Sequence, residues 1–155
     1  MIRWILLVSL LMNFSAREDV NNVTFSSEQV VEKVVIQFFD AMRGADGDQI
    51  RSLTTDDATL HTVTELDEKP TLRETNFGDF IGSVSQSERG TLDEQLISLT
   101  VHQDGNLATA WMEYRFYVAG EFSHCGVNTM NLIHKEDGWK IFSIVDTRQQ
   151  EGCDE

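Results

Sequence analysis

Residues 106–148 read NLATAWMEYRFYVAGEFSHCGVNTMNLIHKEDGWKIFSIVDTR, and this stretch decides the fold. Glycine turns at Ala119-Gly120 and Asp137-Gly138 divide it into runs 106–118, 121–135 and 139–148. A third turn, Asp104-Gly105, sets off an earlier run at 92–103. Each run is rich in β-branched and aromatic residues, which suit a pleated, half-buried surface. A two-residue turn containing Gly between such runs signals a hairpin, because Gly takes positive φ without steric cost. The stretch therefore predicts a four-run antiparallel meander. Runs this long exceed the usual ~5–6 residues of a strand and have to curve, with Gly126 the expected bulge or bend.

Working outward, the N-terminal half has helical period. Ser26 reads as an N-cap, Gln29 as its capping-box partner and Phe25 as a staple onto Val30. Val30, Val34, Phe38 and Met42 recur at i+4, flanked by Val31, Val35 and Phe39, so this helix has a wide apolar stripe to bury. Gly44 ends it. A helical turn at 48–53, a strand at 58–66, a loop holding Pro70 and a helix at 77–85 follow. Phe77, Phe80, Ile81 and Val84 share a face of that last helix. Helices ahead of a meander predict an α+β domain over 26–149, its helices packed on a strongly curved, mixed or antiparallel sheet.

The first residues are of another kind. Met1–Ala16 has one basic residue, Arg3, then an apolar run from Trp4 to Met12, then Ser15 and Ala16. That run fits the ~7–15-residue core of a secretory signal and is too short for the ~20 residues of a membrane span. Cleavage near Ala16 is expected, although Phe14 fits the small-x-small pattern poorly. Residues 17–25 read as a polar, irregular leader and 150–155 as a frayed tail. The chain is expected to be secreted or periplasmic, with no membrane contact after cleavage. Asn22-Val23-Thr24 fits a glycosylation sequon but reads as ordinary loop. Cys125 reads first as a small buried residue, with a disulfide to Cys153 of the tail as the open alternative, since sequence does not fix the Cα separation.

Twelve Lys and Arg stand against 26 Asp and Glu, a net charge of −14 with pI near 4.5. Duplex nucleic acid and anionic lipid are both disfavoured, because each is bound through basic side chains. The acid excess reads as a solubility feature.

Three stretches resemble the nuclear transport factor 2-like superfamily: residues 37–42 (QFFDAM), 122–128 (FSHCGVN) and 138–148 (GWKIFSIVDTR). That superfamily includes SnoaL-like cyclases, ketosteroid isomerases and scytalone dehydratase, and the resemblance spans about residues 26–149. The most similar-looking branch is a group of exported bacterial proteins, some labelled lumazine-binding. The resemblance implies a cone-shaped fold, with the Trp139-Lys140-Ile141 side of the last strand facing into the cone.

Bulge-free turns would place His124 opposite Arg115, Tyr114 opposite Cys125 and Thr129 opposite Asp146. Trp111, Glu113, His124 and Asn128 then share a face with Trp139 and Ile141, and the resemblance turns that face toward the pocket. Met112, Tyr114, Phe116, Asp146 and Arg148 fall on the other face. Both faces carry large apolar residues, so a second subunit is expected to cover one of them.

The expected ligand-binding set is His61, Trp111, Glu113, His124 and Asn128. The candidate catalytic residues are His124 as base, with Tyr114 or Asn128 polarising a carbonyl. Asp146 resembles the strand acids of the isomerases and dehydratases, although with Arg148 it reads equally as a surface or interface ion pair. A metal would need ligands such as His61, His124 and Glu113 to converge. No H-x-H or H-E-x-x-H spacing is present, so neither metal nor cofactor is expected. Three functions remain open: an exported domain binding a small molecule in an apolar cone, a general acid–base lyase, isomerase or hydrolase using the same cavity, and a dimeric interaction protein with a filled core.

Overall fold

A computed structural model describes residues 26–66 and 69–153. The expected signal segment, the leader, the sequon and the Phe25 staple lie outside these residues.

Helix α1 (Ser27–Arg43) starts where the sequence places it. The Ser26 side chain accepts from the Gln29 backbone N–H, and the Gln29 side chain returns to the Ser26 N–H at 2.8 Å. Gly44 caps its end. The buried stripe is Val31, Val35, Phe38, Phe39 and Met42. Val30, read as part of that stripe, is exposed. Helix α2 (Gly47–Leu53) and helix α3 (Phe77–Gln86) are capped by Asp46 and Asn76, whose side chains accept from Gln49 and Asp79 N–H.

The strands are β1 (Thr54–Leu66), β2 (Lys69–Thr75), β3 (Leu92–Leu96), β4 (Thr100–Asp104), β5 (Leu107–Val118), β6 (Glu121–Lys135) and β7 (Gly138–Thr147). Their order is β2-β1-β7-β6-β5-β3, with β4 also on β5. β1 runs parallel to β7 and the other pairs are antiparallel, so the sheet is mixed. This is the expected α+β architecture, with N-terminal helices on a curved sheet.

Two local readings are corrected. Pro70 lies in a strand, not a loop. It pairs with Glu65 at the sheet edge, where a missing N–H is tolerated. The run at 92–103 is two strands, because the chain breaks at 97–99 and pairs first with the end and then with the start of β5.

The largest correction concerns register. Pairing of β5 with β6 shifts between Phe116 and Tyr117, where Ser123 is the extra residue. Pairing of β6 with β7 shifts between Asn131 and Leu132, where Phe142 is extra. Strand side chains alternate with period two, so each insertion moves neighbours to the other face. Phe116 therefore faces His124, Tyr114 faces Gly126, and Met112, Asn128 and Asp146 form one row.

Gly126 is not the bulge. A Cβ there would lie 1.9 Å from the Thr147 carbonyl oxygen, and the Tyr114 hydroxyl donates to that same oxygen at 2.9 Å. The glycine opens the space in which the end of β7 crosses β6.

The cysteines also depart from expectation. Cys125 and Cys153 are disulfide-bonded, with Cα atoms 5.9 Å apart. The chain beyond β7 does not fray at once. Cys125 and Gln149 exchange two backbone hydrogen bonds of 3.0 and 2.9 Å, which carries the tail back along β6.

Candidate functional site

The concave side of the sheet meets the helices in a core of Val35, Phe38, Met42, Met112, Met130, Leu132, Ile141 and Ile144. Toward one end this core opens into a cavity of about 200 Å³. Phe38, Phe39 and Met42 of α1, Phe80 of α3, and Leu60, Met130 and Ile144 of the sheet form its apolar walls. Phe38 and Phe80 stack with ring centroids 6.2 Å apart. The polar end consists of Thr75, Glu94, Asn128, Asp146 and Arg148.

Asp146 is the hub of that polar end. It is buried, and accepts from Thr62 Oγ1 at 2.6 Å and from Arg148 Nε at 2.6 Å. Thr62 sits opposite Asp146 in the parallel β1–β7 ladder and reaches it directly. Arg148 is half-exposed, so its guanidinium joins the buried carboxylate to the cavity mouth. Burial works against the Arg148 charge, but the hydrogen bond and charge of Asp146 outweigh it and raise its pKa.

Glu94 comes from β3 and accepts a hydrogen bond from the Asn128 side-chain amide. Burial pushes its carboxyl up to about 8, with the Asp146 charge adding to the effect while Asn128 and Arg148 oppose it. At neutral pH the group is therefore mostly protonated and able to donate. Tyr114 is raised as well, chiefly by burial and then by the charges of Glu94 and Asp146. Its hydroxyl is committed to the Thr147 carbonyl, with a longer contact of 3.5 Å to Asp146.

The expected site residues are split by the register. Asn128 lines the cavity, and Asp146 lines it too, not a surface or interface pair. His124 is on the concave face against Tyr114 and Phe116, with ring centroids 5.7 and 5.1 Å away, and is not in the cavity wall. Burial lowers its pKa, with the Arg148 charge helping. Trp111 and Glu113 are exposed on the convex face. His61 joins them there, since it pairs with Val145 while its neighbours Leu60 and Thr62 turn inward. His61, Glu113 and His124 thus do not converge, and among the described residues no three His, Cys, Asp or Glu side chains form a metal-binding group.

The sequence does not place Glu94 or Thr62 at the site, and it gives Arg148 only as the ion-pair partner of Asp146. Glu94 had a signal in the sequence: Leu92, Glu94 and Leu96 alternate onto one side, which places a lone acid on an apolar face.

No family model and no curated protein matches this sequence. Solved structures do. A nuclear transport factor 2-like protein of unknown function from Shewanella baltica superposes with TM-score 0.62 at 14% identity, over 83% of this chain and 100% of that one. A protein from Streptomyces avermitilis, proposed to be a dehydratase of that family, gives 0.60 at 18%, over 79% and 96%. One from Shewanella frigidimarina, proposed to be a ketosteroid isomerase, gives 0.56 at 15%, over 76% and 94%.

Proposed function

On the premise that this chain has the nuclear transport factor 2-like fold, we propose that it binds a mainly apolar small molecule in the cone. The observation that carries this reading is the cavity itself: apolar walls from α1, α3 and the sheet converge on a polar end supplied by Glu94, Asn128, Asp146 and Arg148. A mostly apolar hollow with a few convergent polar groups is the usual form of a small-molecule site. The ligand would meet a donor at Glu94, and a carbonyl or hydroxyl oxygen suits that donor.

A second reading, general acid–base catalysis, is favoured by one observation. Two carboxyls border the same cavity in opposite conditions, Glu94 held protonated by burial and Asp146 paired with a guanidinium. A protonated acid beside a carboxylate that already accepts hydrogen bonds supplies a donor and an acceptor to one cavity. Glu94 would then donate the proton and Asp146 receive one, in an isomerisation or elimination. This replaces His124 as the base.

We also propose export to an oxidising compartment, in keeping with the disulfide and the expected signal segment, and homodimerisation through the convex face. No helix among the described residues is long and apolar enough to cross a membrane.

Native mass spectrometry of protein purified from its own compartment tests the primary reading. A retained small molecule, released on denaturation and lost in Asn128→Leu, is expected. An empty protein that also fails to bind compact ketones would contradict it. With a ligand in hand, Glu94→Gln separates the two readings: kept affinity with abolished turnover supports the enzyme, and the absence of turnover in the wild type removes it.

A further inference from the structure

Outside the cavity, between α1 and the β3–β4 bend, lies a groove of about 370 Å³ lined by Ile36, Phe39, Asp40, Arg43, Glu94 and residues 96–99. Phe39 and Glu94 line both the groove and the cavity. We propose that groove and cavity are two halves of one binding site on either side of Glu94, and that its ligand is an elongated, mainly apolar molecule with an uncharged oxygen acceptor near its middle. The proposal rests on the cavity being a ligand site.

Size argues for it first. Small-molecule sites usually span ~300–1,000 Å³, so the cavity, at about 200 Å³, is small on its own. Together with the groove it falls inside that range. The groove's surface argues for it next. Ile36 and Ile97 are 47% and 55% exposed at this place, and large aliphatic side chains left bare beside a cavity mouth are suited to covering by an apolar chain.

The charges agree. Arg43 is already bound to Asp93 at 2.6 Å and lies 3.7 Å from Asp40, so among the described residues the groove offers no unpaired cation to an acidic head. At the junction Glu94 has one carboxyl oxygen occupied by Asn128. The other can donate to an oxygen acceptor, while the two arms of the ligand run in opposite directions.

Straight-chain ketones test this directly, with affinities measured by calorimetry. The comparison uses a compact ketone and two long ketones of equal length, one with its carbonyl at the chain end and one at the centre. The centred ketone is expected to bind tightest, gaining about fourfold for each methylene placed in the groove. Ile97→Asp should remove that gain, leave the compact ketone's affinity unchanged and leave Tm within a degree or two. If the compact ketone binds and the centred one gains nothing, the two-part site is overturned while the cavity reading stands. If no ketone binds, the two-part site falls, and the cavity reading falls with it when the purified protein also carries no small molecule.

Discussion

Met112 and Trp111 are adjacent in β5, and the two faces they belong to have different tasks. Met112 is fully buried in the concave core, in the row that holds Asn128 and Asp146. Trp111 is 52% exposed in a convex row with Thr129, Val145 and His61. The concave face supplies cohesion and surrounds a small polar cluster in which Thr62, Asn128 and Asp146 are buried. The convex face carries large apolar and titratable residues that the fold itself does not need. One residue of register separates a buried group, whose hydrogen bonds are supplied by the fold, from one left for solvent or a partner.

The comparison is broken most severely from the concave side. Met112→Ala should cost about 2–5 kcal/mol, the range for deleting a buried large side chain without collapse of the cavity. Trp111→Ala should change monomer stability by less than about 1 kcal/mol while weakening any dimer. Chemical denaturation and sedimentation measure the two effects, and comparable losses of stability would erase the distinction between faces.

Replacing both Cys125 and Cys153 by Ala should cost about 3.6 kcal/mol, because the disulfide closes a loop of 28 residues in the unfolded chain. The tail beyond Gln149 should also lose its fixed path, while Arg148 keeps its place through Asp146 and the Cys125–Gln149 backbone pair. A crystal structure of the double variant checks that placement.

Thr62→Val keeps the shape and removes one donor from Asp146. A loss of about 2 kcal/mol is expected, typical of a hydrogen bond to a charged group. The same change at Thr129, on the convex face, should be close to neutral.

A further effect is in pH. Glu94 titrates near 8 in the fold and near its ordinary 4.5 when unfolded, so between those values the folded protein holds more protons. Stability should therefore fall as pH rises from about 4.5 through 8. The difference between wild type and Glu94→Gln isolates that contribution, and a flat difference would place Glu94 in water.

What could be read from the sequence depended on range. The Ser26–Gln29 capping box, Gly44 and the glycine turns act within a few residues, and each marks its element correctly. The assignment of faces rests on strand pairing summed from turn to turn, and single extra residues at Ser123 and Phe142 reversed it. Neither residue is a glycine or proline that would announce a bulge. Trp111 and Glu113 left the predicted pocket for this reason, and Asp146 joined Asn128. The disulfide was illegible because it depends on the path of the tail, set by the close approach of Thr147 to Gly126. Glu94 was visible in outline as an acid on an apolar alternation, but only curvature of the sheet brings it to Asn128.

The central claim is that the concave face holds a hollow dry enough to keep an acid neutral among ligand-ready walls. Carbon-13 NMR of the Glu94 carboxyl, assigned by Glu94→Gln and followed across pH, tests it most directly. The account predicts a midpoint near 8; a midpoint at the ordinary ~4.3 of a solvated glutamate would contradict it.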